Sequence, residues 1–140
     1  MILKMRSNYF KYVLVAILGS LITSCANVGN LTGGPKDVAP PKLIPEKSTP
    51  SGKIHFYPYE IILTFDEWIQ LKDAYNQILI SPPLSKPVEY KVKGKVLHIN
   101  LDKEEKLQDS STYVIQFGSA IQDITENNIA NNLKFVFSTG

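Results

Sequence analysis

Residues 107–117 read Leu-Gln-Asp-Ser-Ser-Thr-Tyr-Val-Ile-Gln-Phe, a polar turn that leads directly into an alternating strand. Tyr113, Ile115 and Phe117 share one face of that strand, as expected for a strand with one buried side. A leucine and a polar turn before the tyrosine are typical of a tyrosine corner, in which the ring packs inward and the hydroxyl bonds to backbone a few residues upstream. The alternative is an ordinary strand tyrosine. The pattern favours a structural role for Tyr113.

The same alternation recurs on both sides of this stretch. Including it, the segments predicted to be strands are Leu43–Ile44, Glu60–Phe65, Gln77–Ile80, Val88–Val92, Val96–Leu101, Thr112–Phe117 and Leu133–Phe137. The segment Glu67–Tyr75 is the only candidate for a helical turn, and it is too short to serve as a crossover helix. Short strands with turn-rich joins predict an all-β fold, an immunoglobulin-like antiparallel β-sandwich of about seven strands.

The only cysteine follows an apolar segment near the start of the chain, in Leu21-Ile-Thr-Ser-Cys25. Tyr12–Ile22 contains eleven residues without a charge, which suits a signal-peptide core and falls short of the ~20 residues of a membrane-spanning helix. The alternatives are an uncleaved anchor or a buried helix. The stretch resembles the lipobox of bacterial lipoprotein precursors, which implies acylation of Cys25, for example by palmitate, and cleavage before it.

The composition changes after Cys25. Residues 26–41 are rich in Asn, Gly, Thr and Pro, which prevents a helix or a strand from propagating. The chain therefore divides into a signal peptide (residues 1–24), a lipid-anchored flexible linker (25–41) and one domain (42–140). Three of the 15 basic residues and none of the 13 acidic residues precede Cys25. The mature chain is thus slightly acidic, which argues against nucleic acid and anionic membrane surfaces as partners.

Several stretches together resemble the SbsA-type bacterial Ig-like domain: Leu63–Glu67, residues 107–117, and Asp123 followed by Phe135–Gly140. Thr32–Pro41 and Ile80–Pro83 are similar to the start of Bacteroidota-type lipoproteins that open with this domain. The resemblance implies the sandwich fold and a lipid-anchored position in the outer membrane. Such proteins usually continue for several hundred residues, so it also implies that this chain is a truncated form or a fragment.

No catalytic motif is present in the sequence: there is no nucleophile elbow, no HExxH pair and no cysteine–histidine arrangement. His55 and His98 have no metal-ligand neighbours in sequence, and His98 alternates with the inward residues of its strand, which predicts a surface position. We therefore expect a protein that is not an enzyme and that uses no cofactor.

One group of acidic residues merits comparison with a metal site. In the expected topology, the loop after the second strand and the loop before the last strand lie at the same end. Their oxygen-bearing residues are Asp66, Glu67, Asp73, Asp123, Glu126, Asn127 and Asn128. Ca²⁺ requires oxygen ligands, so Asp66, Glu67, Asp123 and Glu126 form a candidate calcium site. Against it, EF-hand spacing is absent and acidic loops are common on soluble domains.

The topology also predicts an orientation, and the sequence favours two kinds of role. The linker should join the domain at the end with the acidic loops, while Gly140 should lie at the opposite end. The first role is a non-catalytic outer-membrane module for adhesion, spacing or envelope assembly. The alternative is an accessory glycan- or protein-binding subunit that uses Trp68, although such a residue more often covers the end of a core. Ala26 follows Cys25 without an early acidic run, which favours the periplasmic face over the cell surface.

Overall fold

The computed structural model describes Tyr12 and residues 34–140. Cys25 and the predicted signal peptide, apart from Tyr12, lie outside the described residues. The strands are β1 (Glu60–Thr64), β2 (Ile69–Leu71), β3 (Leu79–Ser81), β4 (Glu89–Lys93), β5 (Val96–Asn100), β6 (Thr112–Gln116), β7 (Ile121–Asp123) and β8 (Lys134–Ser138). A single helical turn, α1 (Ala74–Gln77), precedes β3, and a 3₁₀ turn occupies Pro45–Lys47.

Two three-stranded antiparallel sheets pack face to face. One has the order β1-β5-β4 and the other the order β3-β6-β8, while β2 and β7 form a separate two-stranded ribbon. The inner faces carry the alternating apolar residues that the sequence predicted, and each of these is at most 2% exposed: Ile61, Leu63, Leu97, Ile99, Tyr113, Ile115, Phe135 and Phe137. The predicted all-β, immunoglobulin-like sandwich is confirmed.

The first segment of the domain contacts both sheets. Leu43 forms an antiparallel bridge with Phe65, next to β1. After the 3₁₀ turn, Lys53 forms a parallel bridge with Phe137 of β8. Proline at positions 45 and 50 prevents a continuous strand here. We call residues 43–56 the crossing segment, because it closes the same side of the sandwich by pairing first with one sheet and then with the other.

The structure differs from the sequence prediction around the ribbon. The helical turn expected within Glu67–Tyr75 begins only at Ala74, and residues 69–71 form a strand instead. Strand β7 was not predicted either. Both strands have three residues, and each is specified by its partner: Ile69 lies opposite Asp123, and Leu71 lies opposite Ile121. An alternation of three residues is too short to show a period, so this pairing is visible only in three dimensions.

Tyr113 fixes the turn before β6. Its hydroxyl accepts a hydrogen bond from the backbone N–H of Gln108 at 2.9 Å, which is the arrangement of a tyrosine corner. Its ring is stacked on Phe137 with 5.1 Å between centroids and is 1% exposed. The tyrosine thus links the loop between β5 and β6 to the buried face of the sheet that contains β6 and β8.

We expect Tyr113→Phe to lower the free energy of unfolding by about 1–3 kcal/mol, because the Gln108 N–H loses its acceptor while the ring still packs. Thermal unfolding followed by circular dichroism measures the change. Tyr59→Phe is the matched control, since Tyr59 is 66% exposed and its replacement should shift stability by less than about 0.5 kcal/mol. Equal melting temperatures for both variants and wild type would show that the hydroxyl of Tyr113 has no structural role.

Candidate functional site at the acidic end

The β2–β7 ribbon brings the loop after β1 and the loop after β7 to the same end of the sandwich. Ile69 and Asp123 lie opposite each other in the ribbon, and the N–H of Ile124 donates to the carbonyl of Trp68 at 3.3 Å. The sequence placed these two loops together on grounds of topology, and the structure does the same. We call this the acidic end, after Asp37, Asp66, Glu67, Asp123 and Glu126.

The side chain of Asp123 stabilises the loop after β7. Its Oδ1 accepts the backbone N–H groups of Thr125 at 2.8 Å, Glu126 at 2.6 Å and Asn127 at 3.1 Å. Its Oδ2 accepts the N–H of Asn128 at 2.8 Å. Burial disfavours the charged carboxylate, but the four donors outweigh it and hold the pKa of Asp123 below its usual value. The carboxylate is therefore a structural centre for residues 124–128.

The pKa of Glu67 reflects the negative charge that surrounds it at the acidic end. Its pKa is raised, first by partial burial and then by the negative charges of Asp123, Asp66, Asp37 and Glu126. Asp66, Asp123 and Glu126, which the sequence grouped with Glu67, are thus close enough to repel its charge. Asp73, which the sequence placed in the same group, is not among these charges; it lies just before α1. This end of the domain carries a concentrated negative charge, which favours protonation of Glu67 at a higher pH than usual.

The calcium site at Asp66, Glu67, Asp123 and Glu126 stays a prediction, and the structure shows what two of these carboxylates already bind. Across residues 34–140, no group of three or more His, Cys, Asp or Glu side chains is arranged to hold a metal ion. Two of the four carboxylates already accept backbone N–H groups: both oxygens of Asp123 are occupied, and Oδ1 of Asp66 accepts the N–H of Lys42 at 2.8 Å. Asp66 and Asp123 anchor loops here, and the sequence treated them as free ligands.

The chain reaches the domain along this end. Lys42 and Asp66 exchange hydrogen bonds, because the N–H of Asp66 also donates to the carbonyl of Lys42 at 3.0 Å. The side-chain amide of Asn128 donates to the carbonyls of Asp37 and Ala39 at 3.1 and 3.2 Å. Residues 37–42 are thus fastened to the acidic end, where the sequence expected the linker to arrive.

Gly140 lies at the other end of the sandwich, which we call the far end. The carbonyl of Gly140 accepts the N–H of His55 at 3.3 Å, and the N–H of Thr139 donates to Ser111 in the loop before β6 at 2.9 Å. Strand β8 starts beside the end of β6, with Lys134 opposite Gln116, and runs the length of its sheet. The chain therefore arrives at one end and reaches Gly140 at the other.

Trp68 and the two histidines lie in three different parts of the domain. The Trp68 ring covers Gly94, in the turn between β4 and β5, and remains 59% exposed. Gly94 has a φ of +63°, a left-handed conformation that glycine adopts readily. His98 lies on the outer face of β5, and its Nδ1 is 2.7 Å from Oε1 of Glu60. His55 is exposed in the crossing segment.

Among the described residues, no helix is long and apolar enough to cross a bilayer.

A model of the bacterial Ig-like domain family matches residues 37–139, which include both sheets, the ribbon and the acidic end. No curated protein shows significant similarity to the chain, and no solved structure does either.

Proposed function

This chain belongs to the bacterial Ig-like domain family, and we propose that it serves as a lipid-anchored spacer that presents its far end to a partner. Domains of this family are generally non-catalytic binding or structural modules. In this proposal, acylated Cys25 holds the chain in the outer membrane on the periplasmic face. The domain then acts in adhesion or envelope assembly through surface loops, without a catalytic step.

The observation that carries the proposal is the in-line path of the chain. Residues 37–42 are hydrogen-bonded to the acidic end, while Gly140 lies at the far end. A domain with this path keeps whatever it presents at the far end one sandwich length from its tether. With residues 37–42 fastened, eleven residues separate Cys25 from Asp37, which limits the distance between them to about 33 Å at ~3 Å per residue.

The far end has the side chains expected of a contact surface. Tyr57 is 54% exposed and Tyr59 is 66% exposed, and both line a shallow cleft with Leu101, Asp102 and Glu105. Tyrosine is enriched at protein interfaces because it combines a large apolar ring with a hydrogen-bonding hydroxyl. The hydroxyl of Tyr57 donates to the carbonyl of Thr139 at 3.0 Å, which fixes this ring at the surface.

Energy transfer from tryptophan to the membrane tests the in-line orientation. The full chain is lipidated and placed in vesicles that contain a dansyl-labelled phospholipid. Trp68 is the only tryptophan of the chain and lies at the acidic end, so transfer from Trp68 should be strong. In the double variant with Trp68→Phe and Tyr59→Trp, the donor lies at the far end and transfer should fall severalfold.

Two results would contradict the orientation: equal transfer from the two positions, or stronger transfer from position 59. A double variant with Trp68→Phe and Trp introduced at Ile124 is the matched control. Ile124 is 50% exposed and lies next to Trp68, so this donor should transfer energy about as well as Trp68 does. The control separates an effect of position from an effect of moving the ring.

A further inference from the structure

Among the buried side-chain nitrogen and oxygen atoms of the described residues, one has no hydrogen-bond partner. It is Oε1 of Gln122, a residue of β7 that is 6% exposed. The amide nitrogen of the same side chain donates to the carbonyl of Ser119 at 3.3 Å, which fixes which atom is the oxygen. A buried acceptor without a donor destabilises a fold, so such an atom indicates a missing partner.

Gln122 lines an open polar cup of about 190 Å³, together with Lys72, Asp73, Gln77 and Ser119. The cup lies at the end of the ribbon that is farther from Trp68, where β2 leads into α1. Its two walls are held together by the hydroxyl of Ser119, which donates to Oε1 of Gln77 at 2.9 Å, and by the N–H of Lys72, which donates to the carbonyl of Ala120 at 2.8 Å.

The backbone adopts left-handed conformations on both walls. Asp73 has a φ of +50° and Gly118 has a φ of +53°. A Cβ at Gly118 would lie 2.8 Å from the carbonyl oxygen of Gln77, so only glycine allows the two walls to approach this closely. Backbone strain of this kind at a non-glycine residue such as Asp73 is concentrated at binding sites.

We propose that this cup binds a neutral, hydroxyl-rich ligand, a single sugar unit of a glycan. The amide oxygen of Gln122 and the carboxylate of Asp73 accept hydrogen bonds, whereas the Lys72 ammonium donates them. One lysine and one aspartate give the cup no net charge, which disfavours a charged ligand. Adjacent sugar hydroxyls both donate and accept hydrogen bonds, so they match the acceptors and the donor of the cup. The cup is also smaller than the pocket of a drug-sized ligand, as a single sugar unit requires.

The inference goes beyond the spacer role and does not depend on it. The cup consists of residues 72–77 and 119–122, and none of its members takes part in the fastening of residues 37–42. The three ion pairs within residues 34–140 do not involve Lys72 or Asp73. Lys72 is therefore available to a ligand. Of the Asp73 carboxylate, Oδ2 is available, because Oδ1 already accepts a hydrogen bond from the side-chain amide of Asn76 at 2.6 Å.

Saturation-transfer NMR with the full chain tests the proposal, in a detergent without a sugar head group. The probes are methyl glucoside, methyl galactoside and N-acetylglucosamine, with glycine and acetate as charged comparisons. We expect saturation of at least one sugar. Lys72→Met and Gln122→Met should each weaken that binding at least tenfold, whereas Lys106→Met, an exposed lysine outside the cup, should leave it unchanged.

Three outcomes would overturn the proposal: no saturation of any sugar, binding of glycine or acetate in place of sugars, and sugar binding that persists in both cup variants. Gln122→Met replaces a buried side chain, and its folding is checked by circular dichroism. Lys72 is exposed and does not belong to the hydrophobic core, so Lys72→Met decides the question if Gln122→Met does not fold.

Discussion

The Cys25→Ser variant should lose its lipid attachment completely. The thiolate of cysteine is the nucleophile that lipid transfer requires, and Cys25 is the only cysteine in the chain. No other residue can replace it, so the protein should stay as an uncleaved precursor or leave the membrane fraction. Mass spectrometry and detergent phase partitioning measure the two consequences. Protease treatment of intact cells carrying the wild-type chain then distinguishes the proposed periplasmic face from the cell surface.

Ser24→Ala is the matched control for the anchor. It changes the neighbouring residue, keeps a small side chain before Cys25 and retains the thiol. This variant should partition like the wild-type chain. An unchanged mass and unchanged partitioning of Cys25→Ser would rule out the lipid anchor, and the spacer proposal would fail with it. The sugar cup would remain to be judged by its own measurement.

Asp123→Ala should lower the melting temperature by about 10 °C or more, the largest stability effect that we expect in the domain. The substitution leaves four backbone N–H groups without their acceptor, and unpaired shielded donors are costly. Asp109→Ala is the matched control, since Asp109 is exposed in the loop before β6 and its loss should change the melting temperature little. Equal effects of the two substitutions would contradict the role of Asp123.

The pH dependence gives this prediction a second readout. The pKa of Asp123 is lowered in the fold, so its charge stabilises the folded chain above the unfolded pKa, near 3.8. That stabilisation is lost as the pH falls through the lower folded pKa. The melting temperatures of wild type and Asp123→Asn should therefore differ at pH 7 and converge in strong acid. If the difference between the two melting temperatures stayed constant from pH 7 into strong acid, the charge of Asp123 would not contribute to stability.

The strands of the two large sheets could be predicted from the sequence, because apolar and polar residues alternate within each strand. Ile61, Leu63 and Phe65 repeat every second residue, and one buried face is enough to select that pattern. The ribbon was missed because β2 and β7 are short and recognise each other across the chain. Leu43–Ile44 was predicted as a weak strand, and it forms a single bridge because the prolines turn it towards the other sheet.

The two acidic loops lie at the same end, as the sequence predicted, and the structure adds a role for Asp123 that the sequence analysis did not assign. Asp123 is followed by Ile-Thr-Glu-Asn-Asn, a run with the polar residues that side-chain-to-backbone hydrogen bonds use in turns. That run was the available signal that the carboxylate serves its own loop. The polar cup had no comparable signal, because Lys72 and Gln122 belong to distant segments and neither is unusual alone.

From its pairing with β8, we expect the crossing segment to determine how the domain responds to mechanical force. It runs parallel to β8, and the N–H groups of Gly52 and Ser138 bond it to that strand through the carbonyls of Val136 and Lys53 at 2.7 and 2.8 Å. A pull between the tether and Gly140 slides these two strands past each other, so the bonds are loaded together. Peeling would load them one after another. Unfolding under force is governed by the rate of unfolding. Because the bonds between the crossing segment and β8 are loaded together, that rate should stay low while the chain is under tension.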